Sequence, residues 1–336
     1  MPSKSITFYL LLFVCIAMSC NGPKEEPVSE VPTTIGLTSV QKIDRQIEAN
    51  PEKPELYLER GDLFYELEGF DEAIADYKKV IELDSSRVEA HSKLAQTYLE
   101  YDNSRLALLT LEAATYQFPS DIDLLHKLAE YKIILEQNNE AFLTLKRATK
   151  LDRFNPRSYY LMGINFEDTD DVEKAIRSYK VAVDKDADFI PALMRLGFLH
   201  EEKEDPKAIQ YFDAAISAEP DNFRAHLAKG NNLGQQGKFN EAIEVFKGIT
   251  NQGGVQQSAA FFNIGLSYFQ LDSLNEAKKH FEITTSVDPT YGLAYFFLGE
   301  IAKGQDDIET AKKFYQQAAS FEDVRNRAEQ ALEALK

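Results

Sequence analysis

The chain has 336 residues, with 37 Lys and Arg against 55 Asp and Glu, a formal charge of -18 at neutral pH and no tryptophan. That surplus of carboxylates repels phosphate backbones and anionic lipid surfaces, which excludes nucleic acid as a partner. Hydrophobic residues form 44% of the chain, ample for an ordered core, and only 12 prolines interrupt a composition that favours helix.

At the amino terminus Lys4 supplies a positive start, and Ile6 to Met18 form an apolar stretch broken only by Thr7 and closed by Ala17-Met18-Ser19-Cys20. The stretch is shorter than the roughly 20 apolar residues a spanning helix needs, so residues 1–19 read as a removed signal peptide. The small residues at 17 and 19 before Cys20 resemble the lipobox of bacterial lipoproteins. That resemblance implies that Cys20 becomes the acylated first residue and that a lipid anchor makes the membrane a partner. A plain secretory signal that leaves Cys20 an ordinary thiol is the alternative. Cys15 is the one other cysteine and lies inside the removed stretch, so no thiol pair remains for a disulfide.

Residues 20–37 follow as a tether, with Pro23, Pro27 and Pro32 interleaved with Glu25, Glu26 and Glu30 and no apolar periodicity. Extended, such a segment reaches roughly 50 Å, enough to clear a lipid headgroup layer. Lys24-Glu25-Glu26 resembles the charged signal that sends some lipoproteins of Gram-negative bacteria to the outer face of the outer membrane; a solvated linker is the other reading. Within 38–53, Ser39 to Asn50 followed by Pro51 reads as a lone flanking helix that covers what comes next.

From Pro54 the sequence repeats with a period near 34. Ala73, Ala107, Ala141, Ala175, Ala208, Ala242, Ala277 and Ala311 mark the second helix of each unit, with successive spacings of 34, 34, 34, 33, 34, 35 and 34. Ahead of each lies Gly61, Ala95, Ala129, Gly163, Gly197, Gly230, Gly265 or Gly299, where a larger side chain would hold the two helices apart. Four residues beyond each alanine stands Tyr77, Leu111, Leu145, Tyr179, Phe212, Phe246, Phe281 or Tyr315, filling the space beside the small pair. Pro119, Pro220 and Pro289 stop second helices.

This register resembles the tetratricopeptide repeat over residues 54–325. The family's tryptophan is replaced by Tyr57, His91, Leu125, Tyr159, Leu193, His226, Phe261 and Tyr295. The resemblance implies an all-α fold, a right-handed α-solenoid of eight helix pairs with an extra helix at each end. The units are 54–87, 88–121, 122–155, 156–189, 190–222, 223–257, 258–291 and 292–325. Unit five loses a residue where Asp205 is a natural N-cap and Pro206 a natural first helical residue, and unit six gains one near Gly253-Gly254. Residues 326–336 read as a solvating cap for the last pair.

No catalytic constellation emerges. Gly237-Lys238 lacks the hydroxyl residue and first glycine of a phosphate loop, with Phe239 and Asn232 in those places, and Asp168-Thr169-Asp170-Asp171 lacks the glycine and closing glutamate of a calcium loop. His91, His126, His200, His226 and His280 fall at packing or surface positions without metal spacing. The reading is therefore a binding protein rather than an enzyme, with no cofactor and no metal.

By the resemblance, the second, fifth, ninth and twelfth residues of each unit face a concave groove. In units one to three these include Glu55, Asp62, Glu89, Asp123 and Glu130, an acidic surface with apolar islands, together with Leu58, Tyr65, Ser92, Gln96, Leu99, His126 and Ile133. Such a surface would attract a basic partner. In units four to eight the positions give Tyr160, Ile164, Met194, Phe198, Leu227, Phe262, Leu266, Phe269, Leu293 and Phe296. These apolar residues either line a channel for an extended or helical segment of another protein or pack between neighbouring first helices. Family members that grip chaperone tails carry a Lys, Arg and Asn set; Leu58, Asp62, Lys93, Asp123 and Lys127 do not restore it.

The expected function is a lipid-anchored scaffold on the outer membrane, its leaflet undecided, that binds a peptide or helix segment of other envelope proteins. Two rivals stay open: an adaptor for peptidoglycan hydrolases in the periplasm, and a lipoprotein that captures glycans or nutrients.

Overall fold

The computed structural model describes residues 31–250 and 255–335, so the signal peptide, Cys20, most of the tether and Gly253-Gly254 lie outside the described residues. Among the described residues the chain forms eighteen helices and no strand. A flanking helix α1 (Val31–Ala49) precedes the first helix pair, α2 (Pro54–Glu66) with α3 (Phe70–Leu83). The pairs α4 (Val88–Glu100) with α5 (Ser104–Gln117), α6 (Ile122–Ile134) with α7 (Asn138–Leu151), and α8 (Pro156–Asp168) with α9 (Val172–Lys185) follow. Then come α10 (Ile190–Glu201) with α11 (Lys207–Ala218), α12 (Phe223–Gln235) with α13 (Phe239–Lys247), α14 (Val255–Gln270) with α15 (Leu274–Val287), and α16 (Gly292–Gly304) with α17 (Ile308–Ala318). A terminal helix, α18 (Arg325–Glu333), closes the series. The chain gathers into two compact units that part within α9, one up to Ser178 and one from Tyr179.

The repeat signature is packing chemistry. All eight marker alanines are completely buried, as are the large side chains four residues on, from Tyr77 to Tyr315. At Gly61, Gly197, Gly230, Gly265 and Gly299 the small residue of the first helix lies under the ring of its own second helix. A β-carbon added at Gly61 would stand 2.8 Å from the Tyr77 ring, and one at Gly299 would stand 2.6 Å from the Tyr315 ring, closer than carbon atoms pack. The prolines act as their chemistry requires: α5, α11 and α15 end at Gln117, Ala218 and Val287, each just ahead of Pro119, Pro220 or Pro289.

Each pair is joined by the same tight turn. The backbone is left-handed at Glu68, Asp102, Glu136, Asp170, Glu204, Asp272 and Asp306, with φ between 53° and 59°, and at Gly237, with φ of 74°. One residue later an amide reaches back to the last turn of the first helix, as from Gly69 N to Phe64 O at 2.7 Å and from Gln137 N to Lys132 O at 2.7 Å. These are Schellman turns, which return orphan carbonyls to hydrogen bonding. Second helices then start on side-chain caps where the sequence supplies them: Asn103 accepts from Leu106 N and Asp307 from Thr310 N. At the shortened turn of unit five, α11 begins one residue later than expected, with Pro206 at the cap position. Asp205 there accepts from Lys207 N at 3.0 Å and from His200 Nδ1 at 2.8 Å.

The flanking helix corrects one boundary. It begins at Val31, inside the segment expected as tether, because Pro32 falls in its first turn, where a missing amide donor costs nothing. Val40, Ile43 and Ile47 are buried, Ile43 and Ile47 among Tyr57 and Val80 of the first pair. Arg60 ties the three helices together, with bonds to Asp44 on α1 at 2.7 Å and to both carboxylate oxygens of Asp76 on α3 at 2.7 and 2.8 Å. At the far end Val324 and Ala328 are buried against Tyr315 and Phe296, which closes the last pair.

Candidate functional site

First helices place one row of side chains between neighbours, and the acidic candidates sit on that row in the first unit. Glu55 pairs with Arg87. Asp62 accepts from the Tyr77 hydroxyl at 2.8 Å and from Lys93 at 2.9 Å, and Glu89 lies 3.4 Å from the same amine. Glu130 meets Arg157 at 2.8 Å. Only Asp123, exposed, has no strong cation at hand; its nearest partner is His126 Nδ1 at 4.0 Å. The expected acidic surface is thus largely neutralised from within, Glu55, Asp62, Glu89 and Glu130 each answered by a basic side chain of its own or the next repeat. A depression of about 270 Å³ remains among Asp62, Tyr65, Glu66, Lys93 and Gln96, bridged by the Gln96 amide donating to the Tyr65 hydroxyl at 2.7 Å. Burial lowers the pKa of the Lys127 ammonium, half-buried beside His126 on the same helix.

Two expected row positions are core instead. Ile133 is buried, and His126 is fully buried, its Nε2 2.7 Å from the Ser158 hydroxyl, with burial pushing its pKa down to about 4. Further along, Tyr160 and Ile164 are half-buried, packed against a cluster that includes Leu161 and Met162.

In the second unit two phenylalanines of the apolar row take the packed alternative. Phe262 is 7% exposed and Phe296 8% exposed, so neither lines an open channel. The Phe262 ring centre lies 4.8 Å from that of Tyr291, which caps α16, and 5.6 Å from that of Phe281. Phe296 packs 5.7 Å from Tyr315, with the Arg327 guanidinium 4.6 Å over its ring. Phe262 therefore serves the packing between repeats, reaching Phe297 of the next one at 5.9 Å, and Phe296 the packing of the last pair against the terminal helix. Met194, Phe198, Leu227, Leu266, Phe269 and Leu293 are half-buried at the edges of neighbouring core clusters.

The open part of this row lies where the apolar pattern lapses. A depression of about 500 Å³ between α12 and α14 is lined by Gly230, Asn231, Gly234, Gln235, Phe239, Phe246, Asn263, Leu266, Ser267 and Gln270. Only Leu266 among these was expected to line the row. Gly234 is the signal in the sequence: it occupies the twelfth place of its repeat, where other repeats carry Tyr65, Leu99 or Phe269.

A second surface was not foreseen. On the second helices of the first unit Leu109, Tyr116 and Leu143 are exposed by 50%, 90% and 62%, and Leu109 lines a hollow of about 350 Å³ with Ile81, Leu94 and Leu106. Among the described residues no helix is long and apolar enough to cross a membrane.

Profiles described as TPR repeat and tetratricopeptide repeat match residues 61–100, 206–258, 258–291 and 293–323. The chain is 22% identical over 295 residues to the BBSome complex member BBS4 of Bos taurus, covering 77% of this chain and 57% of that protein. It is 21% identical over 259 residues to Hsp70-Hsp90 organizing protein 1 of Glycine max, covering 77% of this chain and 40% of that one. It thus spans about half the length of the curated relatives it matches. Among solved structures, YrrB, described as a TPR protein with an unusual peptide-binding site, is 25% identical, with 56% of this chain and 98% of that chain covered at a TM-score of 0.40.

Proposed function

We propose, from the premise that this chain is built of tetratricopeptide repeats, that it is a lipid-anchored scaffold which holds segments of other envelope proteins against its first helices. The observation that carries the reading is the contrast within the repeats. Marker positions are sealed to solvent, whereas the first-helix row keeps half-exposed side chains and two open depressions. Side chains that a fold leaves half out of water along the first helices of each compact unit are what a partner covers. The Hsp70-Hsp90 organizing protein among the relatives agrees with an organising role in kind. A scaffold needs no chemistry of its own, and on this reading the protein is not an enzyme and needs no cofactor.

Anchoring rests on the sequence. An apolar start, small residues before Cys20 and a proline-rich spacer together assign the protein to the outer membrane, held by acyl chains on Cys20. The test is to capture partners with the intact lipidated chain in mild detergent and then cut the captured protein into fragments. A linear segment of a dozen or so residues should retain binding. Binding that survives only with an intact folded partner surface would contradict the reading.

A further inference from the structure

The depression between α12 and α14 differs in character from the rest of the row. None of its lining side chains is charged, in a chain whose formal charge is -18. Four carboxamides and a hydroxyl face it: Asn231 and Gln235 from α12, and Asn263, Ser267 and Gln270 from α14. Asn231, Gln235 and Gln270 are exposed and make no side-chain hydrogen bond among the described residues. Each of these three offers a donor and an acceptor side by side, the same pair that a peptide unit offers in return, whereas Asn263 donates to Ala259 O at 2.9 Å, leaving its Oδ1 to accept, and the Ser267 hydroxyl donates to Asn263 O at 2.8 Å.

The spacing also fits. Asn231 and Gln235 are one turn apart on α12, as are Asn263 and Ser267 on α14, which sets successive polar groups about 6 Å apart along each helix. An extended chain presents its groups on one side every second residue, about 6.6 Å apart.

Gly234 supplies the depth. Glycine disfavours helix, and packing does not demand it here: a β-carbon at Gly234 would meet nothing within 4 Å, whereas one at Gly230 would collide with the Phe246 ring. The helix thus carries a weak residue that leaves space facing the depression. The lining rings are Phe246, buried, and Phe239, half-buried, so no exposed flat ring is present for a sugar to stack on.

We propose that this depression reads the backbone of an extended, uncharged polypeptide segment through Asn231, Gln235, Asn263 and Gln270, with one side chain of the segment seated over Gly234. The inference rests on the scaffold reading above and names which class of segment this part of the row takes.

The probes are nine-residue peptides with acetylated and amidated ends, in uncharged (Ala, Ser, Thr, Gln), basic and acidic sets, titrated onto the full chain by fluorescence anisotropy. The uncharged set should bind best, and methylating alternate backbone nitrogens should weaken it tenfold or more. Gly234→Leu should weaken the same peptide by a similar factor while leaving helicity and melting intact, and Asn263→Ala should do so more mildly. Preference for basic peptides that ignores Gly234→Leu would overturn this inference and leave the scaffold reading standing. Displacement of the uncharged peptide by a maltooligosaccharide, with backbone methylation without effect, would overturn it in favour of a sugar. If no peptide of any set binds, both readings fall.

Discussion

Truncating Phe262 to alanine removes a ring that is 7% exposed and has three aromatic neighbours, at 4.8, 5.6 and 5.9 Å between ring centres. The loss combines transfer of the ring from the core with the cavity left between α14 and its neighbours, roughly 3–5 kcal/mol. Phe269 is a built-in control. It is half-buried and its ring meets Phe297 edge-on at 5.3 Å, so the same truncation there removes less buried area and should cost about 1–2 kcal/mol. Repeat arrays do not unfold as one two-state unit, so the measurement is hydrogen exchange resolved by helix, supported by urea unfolding. Amides of α14, α15 and α16 should lose protection in Phe262→Ala well before those of the first unit. A cost below about 1 kcal/mol for Phe262→Ala, or equal effects at both positions, would refute the assignment of Phe262 to the packing between repeats and restore an open channel.

Glu136 adopts φ of 59° in an exposed turn, a conformation glycine takes freely, so Glu136→Gly should raise stability by about 0.5–1 kcal/mol and Glu136→Val should lower it, measured by urea midpoint. His126 has its pKa pushed down to about 4 from an ordinary 6.5 by burial. The unfolded chain therefore takes up the proton first, and stability should be full above about pH 6.5 and fall by up to roughly 3 kcal/mol as pH drops towards 4. His126→Leu should flatten that part of a stability-against-pH curve, and an unchanged slope would remove His126 as its source. Cys20→Ala should move the protein from the detergent phase to the aqueous phase and abolish labelling with a fatty acid, and a mutant that stays in the membrane fraction would mean that other contacts hold it there.

The repeat could be read from the sequence because its markers pack within one unit: Gly61 meets Tyr77, and Gly299 meets Tyr315, at fixed offsets. What could not be read depends on the neighbouring unit. Asp62 looks like a free carboxylate until Lys93, 31 residues on, swings across to it, and Glu130 until Arg157 does the same. Phe262 looks surplus because its nearest ring, Tyr291, stands 29 residues on at the cap of α16, and another, Phe297, belongs to the following repeat. The turn residues Glu68, Glu136 and Glu204 gave no signal, since Glu is not a residue that marks a left-handed turn, unlike Asp102, Asp170, Asp272 and Asp306. The depression beside Gly234 escaped for the opposite reason: a search for apolar excess passes over a site made of carboxamides and missing side chains.

The central claim, that partners lie along the first helices, is tested most directly by placing a photo-crosslinking amino acid at Tyr65 and Leu227 on that row and at Leu109 and Leu143 on the exposed second-helix surface. The account predicts that irradiation joins partner polypeptide at Tyr65 and Leu227, with the crosslinks confined to one short stretch of the partner. Crosslinks from Leu109 and Leu143 alone would contradict it and move the binding surface to the second helices.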